Sequence, residues 1–418
     1  MAATLTAPAL MESAASARRP PSVVINLGMG VDSAAILLRY LTDPGSRDFA
    51  WDDAVVITAM TGDEFEQTGR DVEEHILPLL RRHSVRYLQV ARRQRHVTKN
   101  GDGIVVLDDT ARPTRVHLDG AYKLSDEMLE AGTLAQRSGS RLCSVHAKGD
   151  VLDPVIARLT QGRPYRQIIG YEANEPKRAA SDRGYNTQLR TGVYPLIEWG
   201  WTRAICIEFI ASVTGGVIWE KSACAACPFA LSKKAGLARV LARYAKEPSA
   251  GIATLFQEHV ALTLNPAQTL LPGRSARSVV QAAGLHEVLD GFDHKLAAAE
   301  HSVYEVRRIL RPRRDDRTKM ANASRSVAAI ATGTREQMHT TLAEIAEQTG
   351  RDVATDEHGI GRVYLRTRAA VFPAVEHFYV VCPAVVKDKH ARHFEPGWAA
   401  LTRTPQLALF PDARTDVA

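Results

Sequence analysis

Long apolar runs are missing from this chain. Nowhere in its 418 residues does an unbroken hydrophobic stretch reach the roughly 20 residues a transmembrane helix needs, so no membrane partner is expected. Residues 1–21 hold no continuous apolar core with a cleavage site behind it. They are rich in Ala, Ser and Thr, end in Arg18, Arg19, Pro20 and Pro21, and read as a disordered leader rather than a secretory signal. Cysteine is scarce too: five residues, an odd count, exclude a disulfide framework and fit a reducing, cytoplasmic compartment. Internal repeats are absent. What remains is 45% hydrophobic and 24% charged, ordinary for a globular chain whose length predicts two or three domains. The net charge of +6 favours anionic partners, nucleotides or nucleic acid, without separating them.

Over residues 22–234, β-rich runs alternate with helical patterns, the mark of an α/β, doubly wound parallel sheet. Val23-Val24-Ile25-Asn26-Leu27 is apolar enough for a strand covered on both faces. A helix through Ala34 to Leu41 should end at the Asp43-Pro44-Gly45 breaker. Further strands are expected over 54–59, 86–91 and 167–170, and a helix over Val72–His83 that Pro78 kinks or ends. Ile104–Leu107 reads equally as a hairpin or an insertion. Residues 235–310 form an Ala- and Leu-rich helical extension, including a helix over Leu296–Leu310, with no strand signal. Next come a basic linker over 311–325 and a small C-terminal α/β unit over 326–400, with a helix at Arg335–Thr349 and strands at Gly361–Leu365 and His377–Val381. A flexible tail follows over 401–418.

The most informative segment is Leu27-Gly28-Met29-Gly30-Val31-Asp32-Ser33, which leaves a strand and opens a helix. Glycine there lets the backbone approach a ligand, and the N–H groups and dipole of a helix N-terminus attract phosphate. Ser33 can donate to a phosphate oxygen; Asp32 can cap the helix or hold a cation. Neither a Rossmann fingerprint nor a Walker loop fits, since Ser33 stands at the third glycine position and no Gly-Lys-Ser/Thr follows.

This loop resembles the Ser-Gly-Gly-x-Asp-Ser signature of the PP-loop (N-type) ATP pyrophosphatases, with Gly28 and Met29 departing from it. Four later segments are similar to the phosphoadenosine-phosphosulfate (PAPS) reductase branch of that superfamily, in the same order. Thr61-Gly62-Asp63-Glu64 to Thr68 matches a nucleotide-contacting stretch, with Met60 replacing its leading Asp. Cys143, Lys148 and Pro154 follow a Cys-Lys-Pro pattern. Ile169-Gly170-Tyr171-Glu172-Ala173-Asn174-Glu175-Pro176-Lys177-Arg178 follows a Gly-Ile-Arg-x-Asp-Glu-Ser-x-Arg stretch, with Glu172 at the Arg position. Tyr194-Pro195-Leu196 and Trp199 come next. The likeness spans about residues 22 to 230. It implies a PP-loop, HUP-like fold that binds ATP or a related adenylyl nucleotide with Mg2+. Asp32, Ser33 and Lys148 would be catalytic, and Gly28, Gly30, Gly62, Glu64, Gly170 and Arg178 would contact the nucleotide.

Cys224-Ala225-Ala226-Cys227-Pro228 is a C-x-x-C, and with Cys143 it offers three thiolates. Iron–sulfur members of the superfamily use cysteines in similar positions, which implies a 4Fe-4S cluster. As the alternative, Cys143 and His146 with Cys224 and Cys227 make a Cys3His zinc set, and a redox pair or an inert pair is the remaining reading. Cys206 and Cys382, in apolar runs, read as buried thiols.

The function expected is adenylation of an acceptor for sulfur or nitrogen transfer, with nucleic-acid thiolation as one case. The alternatives are a sulfonucleotide (PAPS/APS) reductase and a non-catalytic nucleic-acid-associated protein. DNA or tRNA are the candidate macromolecular partners. The tail residues Gln406, Leu407, Leu409 and Phe410 resemble the peptide by which bacterial DNA-processing proteins dock on the sliding clamp.

Overall fold

The computed structural model describes residues 19–135, 142–316, 318–321, 323–370 and 372–402. The leader up to residue 18 and the clamp-like Gln406–Phe410 peptide lie outside these. The chain is α/β and divides into two units, Met1–Met128 with Ala135–Leu255 and Leu270–Leu289, and Leu129–Leu134 with Phe256–Thr269 and Asp290–Ala418. No described helix is long and apolar enough to cross a membrane.

Unit 1 is built on a mixed six-stranded sheet of mostly parallel strands. Its elements are β1 (Val23–Asn26), α1 (Val31–Thr42), β2 (Ala54–Met60), α2 (Glu66–His75), α3 (Leu77–Arg82), β3 (Tyr87–Arg92), β4 (Ile104–Thr110), α4 (Asp150–Thr160), β5 (Tyr165–Ile168), α5 (Pro176–Arg183), β6 (Arg190–Val193), α6 (Arg203–Val213) and α7 (Lys234–Lys246). Strand order is β4-β3-β2-β1-β5-β6. Every pair is parallel except β3 with β4, so Ile104–Thr110 is an antiparallel edge strand. Pro78 divides the expected helix: α2 stops at His75, and Pro78 sits in the first turn of α3, where its missing N–H costs nothing. Val23, Val24 and Ile25 on β1 are at most 1% exposed, as a central strand covered on both faces requires.

The strand order carries a functional consequence. The chain runs outward from β1 through β2 to β3, then returns to lay β5 and β6 on the other side of β1. The order therefore reverses between β1 and β5. A doubly wound sheet opens a crevice at that reversal, outside the carboxyl ends of the strands.

Unit 2 holds β7 (His301–Leu310), β8 (Ser324–Gly333), α8 (Arg335–Thr349), β9 (Val353–Thr355), β10 (Gly361–Arg366), β11 (Ala374–Pro383) and α9 (Phe394–Thr402). The strands form an antiparallel sheet in the order β8-β7-β11-β10-β9. On one face Met338, Leu342 and Ala346 of α8 pack with Val303, Val363 and Val381. Thr334 and Gln337 close a full capping box at the start of α8, and Gly350 ends it with φ 61°. Arg362, 1% exposed, donates to the carbonyls of Leu262 and Thr263 and pairs with Asp356 at 2.6 Å.

Two expectations fail here. Leu296–Leu310 is not one helix: from His301 the chain is a strand. Val303, Val306 and Leu310 have helix-like spacing, but β7 pairs with both β8 and β11, and that pairing overrides the local period. The stretch read as a basic linker is instead the turn end of the β7–β8 hairpin. Pro312 pairs with Met320, Arg313 N donates to Lys319 O, and Ala321 N donates to Arg311 O, both at 2.8 Å.

Candidate functional site

The loop between β1 and α1 lies at the reversal of strand order. Gly30 is the N-cap of α1 and no side chain caps the helix. The first helical bond runs from Ala34 N to Gly30 O, which leaves the N–H groups of Val31, Asp32 and Ser33 without intrahelical partners. Met29 has φ 58°, a left-handed conformation costly for a side-chain-bearing residue. Its burial and a 3.0 Å bond from Trp219 Nε1 to its carbonyl hold it there.

Other segments close on this loop. The backbone of Ser222 lies so near Gly30 that a Cβ on Gly30 would stand 2.9 Å from Ser222 N. A Cβ on Gly170, in the loop after β5, would stand 2.9 Å from Ser33 N. Both glycines are there for close approach, not for a positive φ. From α6, Arg203 grips Asp32 through Nε and Nη2, at 3.1 and 2.7 Å. Lys221 is exposed and makes no ion pair among the described residues. Partial desolvation and the neighbouring Arg203 guanidinium push its ammonium below the usual lysine range, while Glu175 and Asp32 oppose the shift. Arg178 pairs with Glu175 at 2.8 Å and lies over the Tyr171 ring.

Several expected roles change. Asp32 is neither a cap nor a free cation ligand, because Arg203 occupies its carboxylate. Ser33 Oγ turns inward, accepting from Gly28 N at 3.0 Å and donating to Gly30 O at 3.2 Å, so it shapes the loop. Glu64 also turns back on its own loop, accepting from Thr61 N and Gly62 N. Gly62 needs its φ of 84°, and a Cβ there would strike Lys123. Neither Arg203 nor Lys221 was flagged in the sequence. Arg203 lies 171 residues beyond Asp32, and Lys221 belongs to no recurring motif.

A second group adjoins the first, since Ser222 and Cys224 share one segment. Glu64 and Cys224 pair as an antiparallel bridge, and Ala225 N donates to Asp63 O at 2.9 Å. The Cys224 sulfur stands 3.4 Å from Thr61 Oγ1. Because Thr61 is only 4% exposed, that sulfur lies deep, although Cys224 as a whole is half-buried. Burial drives its thiol well above the ordinary thiol range; the Glu64 carboxylate adds to this, and Lys148 opposes it. The native protein should therefore take iodoacetamide at Cys224 at least about tenfold more slowly than at the half-buried Cys227, since only thiolate reacts. Peptide mapping after brief alkylation reads this; equal rates would contradict the buried sulfur.

Asp63 lies in the same loop. Burial raises its carboxyl from 3.8 to about 6, even though Ser125 N donates to it at 2.7 Å. The protonated form is favoured on folding, so its stabilisation is full below the ordinary carboxylate range and is lost as pH rises through about 6. The shift corresponds to on the order of 2–3 kcal/mol. Asp63→Asn should thus melt higher than the wild type at neutral pH and converge with it below about pH 4. A difference that does not vary with pH would refute this assignment.

Among the described residues, no group of three or more His, Cys, Asp or Glu side chains is placed to hold a metal ion. His146 approaches Glu127 at 3.4 Å, and Glu127 pairs with the buried Arg92 at 2.6 Å. Cys206 and Cys382 are both fully buried.

A cleft of about 230 Å³ lies elsewhere in unit 1, lined by Tyr40, Arg47, Asp48, Arg166, Glu198 and Trp199. It sits by the C-terminal end of α1, about 18 Å along the 12-residue helix from the loop, and takes in none of the expected site residues. The electrostatics and the strand reversal favour the loop. No protein-family model, curated protein or solved structure matches the chain.

Proposed function

We propose that the chain is an adenine-nucleotide enzyme of the PP-loop type, similar to the PAPS reductase branch, that adenylates an acceptor. The observation that carries this reading is the convergence, at the strand reversal, of an uncapped helix N-terminus, two close-approach glycines and the Lys221 ammonium. This suits a polyphosphate: N–H donors left over by the helix, glycines that let Ser222 and the loop after β5 close on those donors, and a cation not already neutralised. The left-handed backbone at Met29, where the family signature carries glycine, supports the likeness.

In this reading the loop holds the β and γ phosphates, and Lys221 offsets the charge that builds on departing pyrophosphate. The acceptor oxygen attacks the α phosphorus, the α–β bridging P–O bond breaks, and the acceptor proton leaves to water. A sulfur or nitrogen nucleophile then displaces AMP. Mg2+ would enter with the phosphates, since Asp32 is held by Arg203. Sulfonucleotide reduction is the weaker reading. It is expected to use a nucleophilic thiol near the C-terminus, and Cys382, the one late cysteine, is fully buried.

Product analysis tests the chemistry. Purified protein with ATP, Mg2+, a nucleic-acid acceptor fraction and a sulfide or ammonia donor should release pyrophosphate and AMP in equal amounts. Release of orthophosphate and ADP would overturn the α–β cleavage. No turnover with tight ATP binding would leave a nucleotide-binding protein without catalysis.

A further inference from the structure

The β7–β8 hairpin reaches beyond its sheet as a two-stranded ribbon. Its regular pairing ends at Ile309 with Ser324, yet Pro312 still pairs with Met320, and the backbone bonds of Arg311 and Arg313 continue the ladder. The turn is tied by Asp316, whose carboxylate accepts from Thr318 N and Oγ1 and pairs with Lys319 at 3.0 Å. These contacts tie the described ribbon residues together.

Its net charge is positive. The described ribbon residues include Arg311, Arg313, Arg314 and Lys319 against Asp315 and Asp316. Both acidic groups are taken, Asp315 by Arg313 and Asp316 by Lys319 and Thr318. Arg311 and Arg314 are exposed and make no ion pair among the described residues, the Arg311 guanidinium lying against Gly397 of α9. Met320, 40% exposed, puts an apolar side chain among these cations.

The basic surface continues along the β8 edge. Lys389 pairs through its backbone with Val327 at 3.0 and 2.8 Å, and Asp388 accepts from Ala329 N. This lays the exposed residues Lys389, His390, Arg392 and His393 beside the base of the ribbon.

We propose that this ribbon and the adjoining strip bind duplex DNA, with the ribbon entering the major groove. Two strands spaced about 4.8 Å apart fit a groove about 12 Å wide, and the four residues Arg311–Arg314 reach about 13 Å, past its depth of about 8.5 Å. The deep, narrow major groove of A-form RNA does not admit such a ribbon. Phosphates are the natural partners of Arg311, Arg314 and the strip, and Met320 offers apolar contact to a base edge. The inference stands apart from the nucleotide site, because binding needs no ATP.

Fluorescence polarisation of the full chain on a labelled mixed-sequence duplex, without nucleotide, tests it from about 50 to about 200 mM salt. Affinity should fall with salt at a log–log slope of about −4, the mark of four or five neutralised phosphates. Arg311→Ala with Arg314→Ala should weaken binding at least about tenfold and lower that slope by about 2. Arg311→Lys with Arg314→Lys should keep the slope, which separates lost charge from lost fold. Lys99→Ala, an exposed cation of unit 1, should change neither quantity. No binding at low salt, an unchanged slope in the alanine variant, or equal affinity for an RNA duplex or phosphatidylserine vesicles would overturn the proposal.

Discussion

Gly170→Ala is expected to weaken ATP binding at least about tenfold, about 1.4 kcal/mol, while the protein still folds. The added methyl would stand 2.9 Å from Ser33 N and 3.2 Å from Ser33 Cα, backbone atoms that cannot swing aside. It would press on the N–H row proposed to meet the phosphates. Overpacking of this kind costs about 1–3 kcal/mol of stability, so a melting curve should accompany the titration. A folded variant with wild-type affinity would remove Gly170 from the site.

Arg203→Ala should have the larger effect, about a hundredfold in ATP affinity, or about 2.7 kcal/mol. The substitution strips the bidentate partner from Asp32 and leaves a carboxylate in the first turn of α1, facing incoming phosphate charge. The double variant Asp32→Asn with Arg203→Ala distinguishes two roles. If Arg203 acts by neutralising Asp32, most of the affinity returns. If it contacts phosphate directly, the double variant stays weak. Calorimetry reads both, and wild-type affinity in the single variant would contradict either role.

Local signals carried far in unit 1. Apolar β1 followed by Gly28–Ser33 marked the strand, the turn and the helix start, and α1 begins at Val31. The Arg335–Thr349 helix was legible to the residue because a capping box and a terminal glycine bracket it. Elements fixed by partners distant in the chain were not legible. β6 is four residues with a central glycine, given strand form by β5. β7 carries arginines and a helix-like spacing, and becomes a strand only through β8 and β11. The candidate site divides in the same way. The loop glycines could be read from their neighbours, whereas the inward turn of Ser33, the self-capping of Glu64 and the Asp32–Arg203 pair depend on what the fold brings alongside. Lys221 was invisible because a lone lysine in Trp-Glu-Lys-Ser has no pattern; only its place next to Ser222, which closes on Gly30, distinguishes it.

The central claim is that a polyphosphate binds at the N-terminus of α1, and an equilibrium titration of ATP into the full chain, with pyrophosphate as competitor, tests it most directly. The account predicts saturable binding at one site per chain, displaced by pyrophosphate and weakened in both Lys221→Ala and Gly30→Val. No saturable binding by folded protein, or ATP binding untouched by both substitutions, would contradict it.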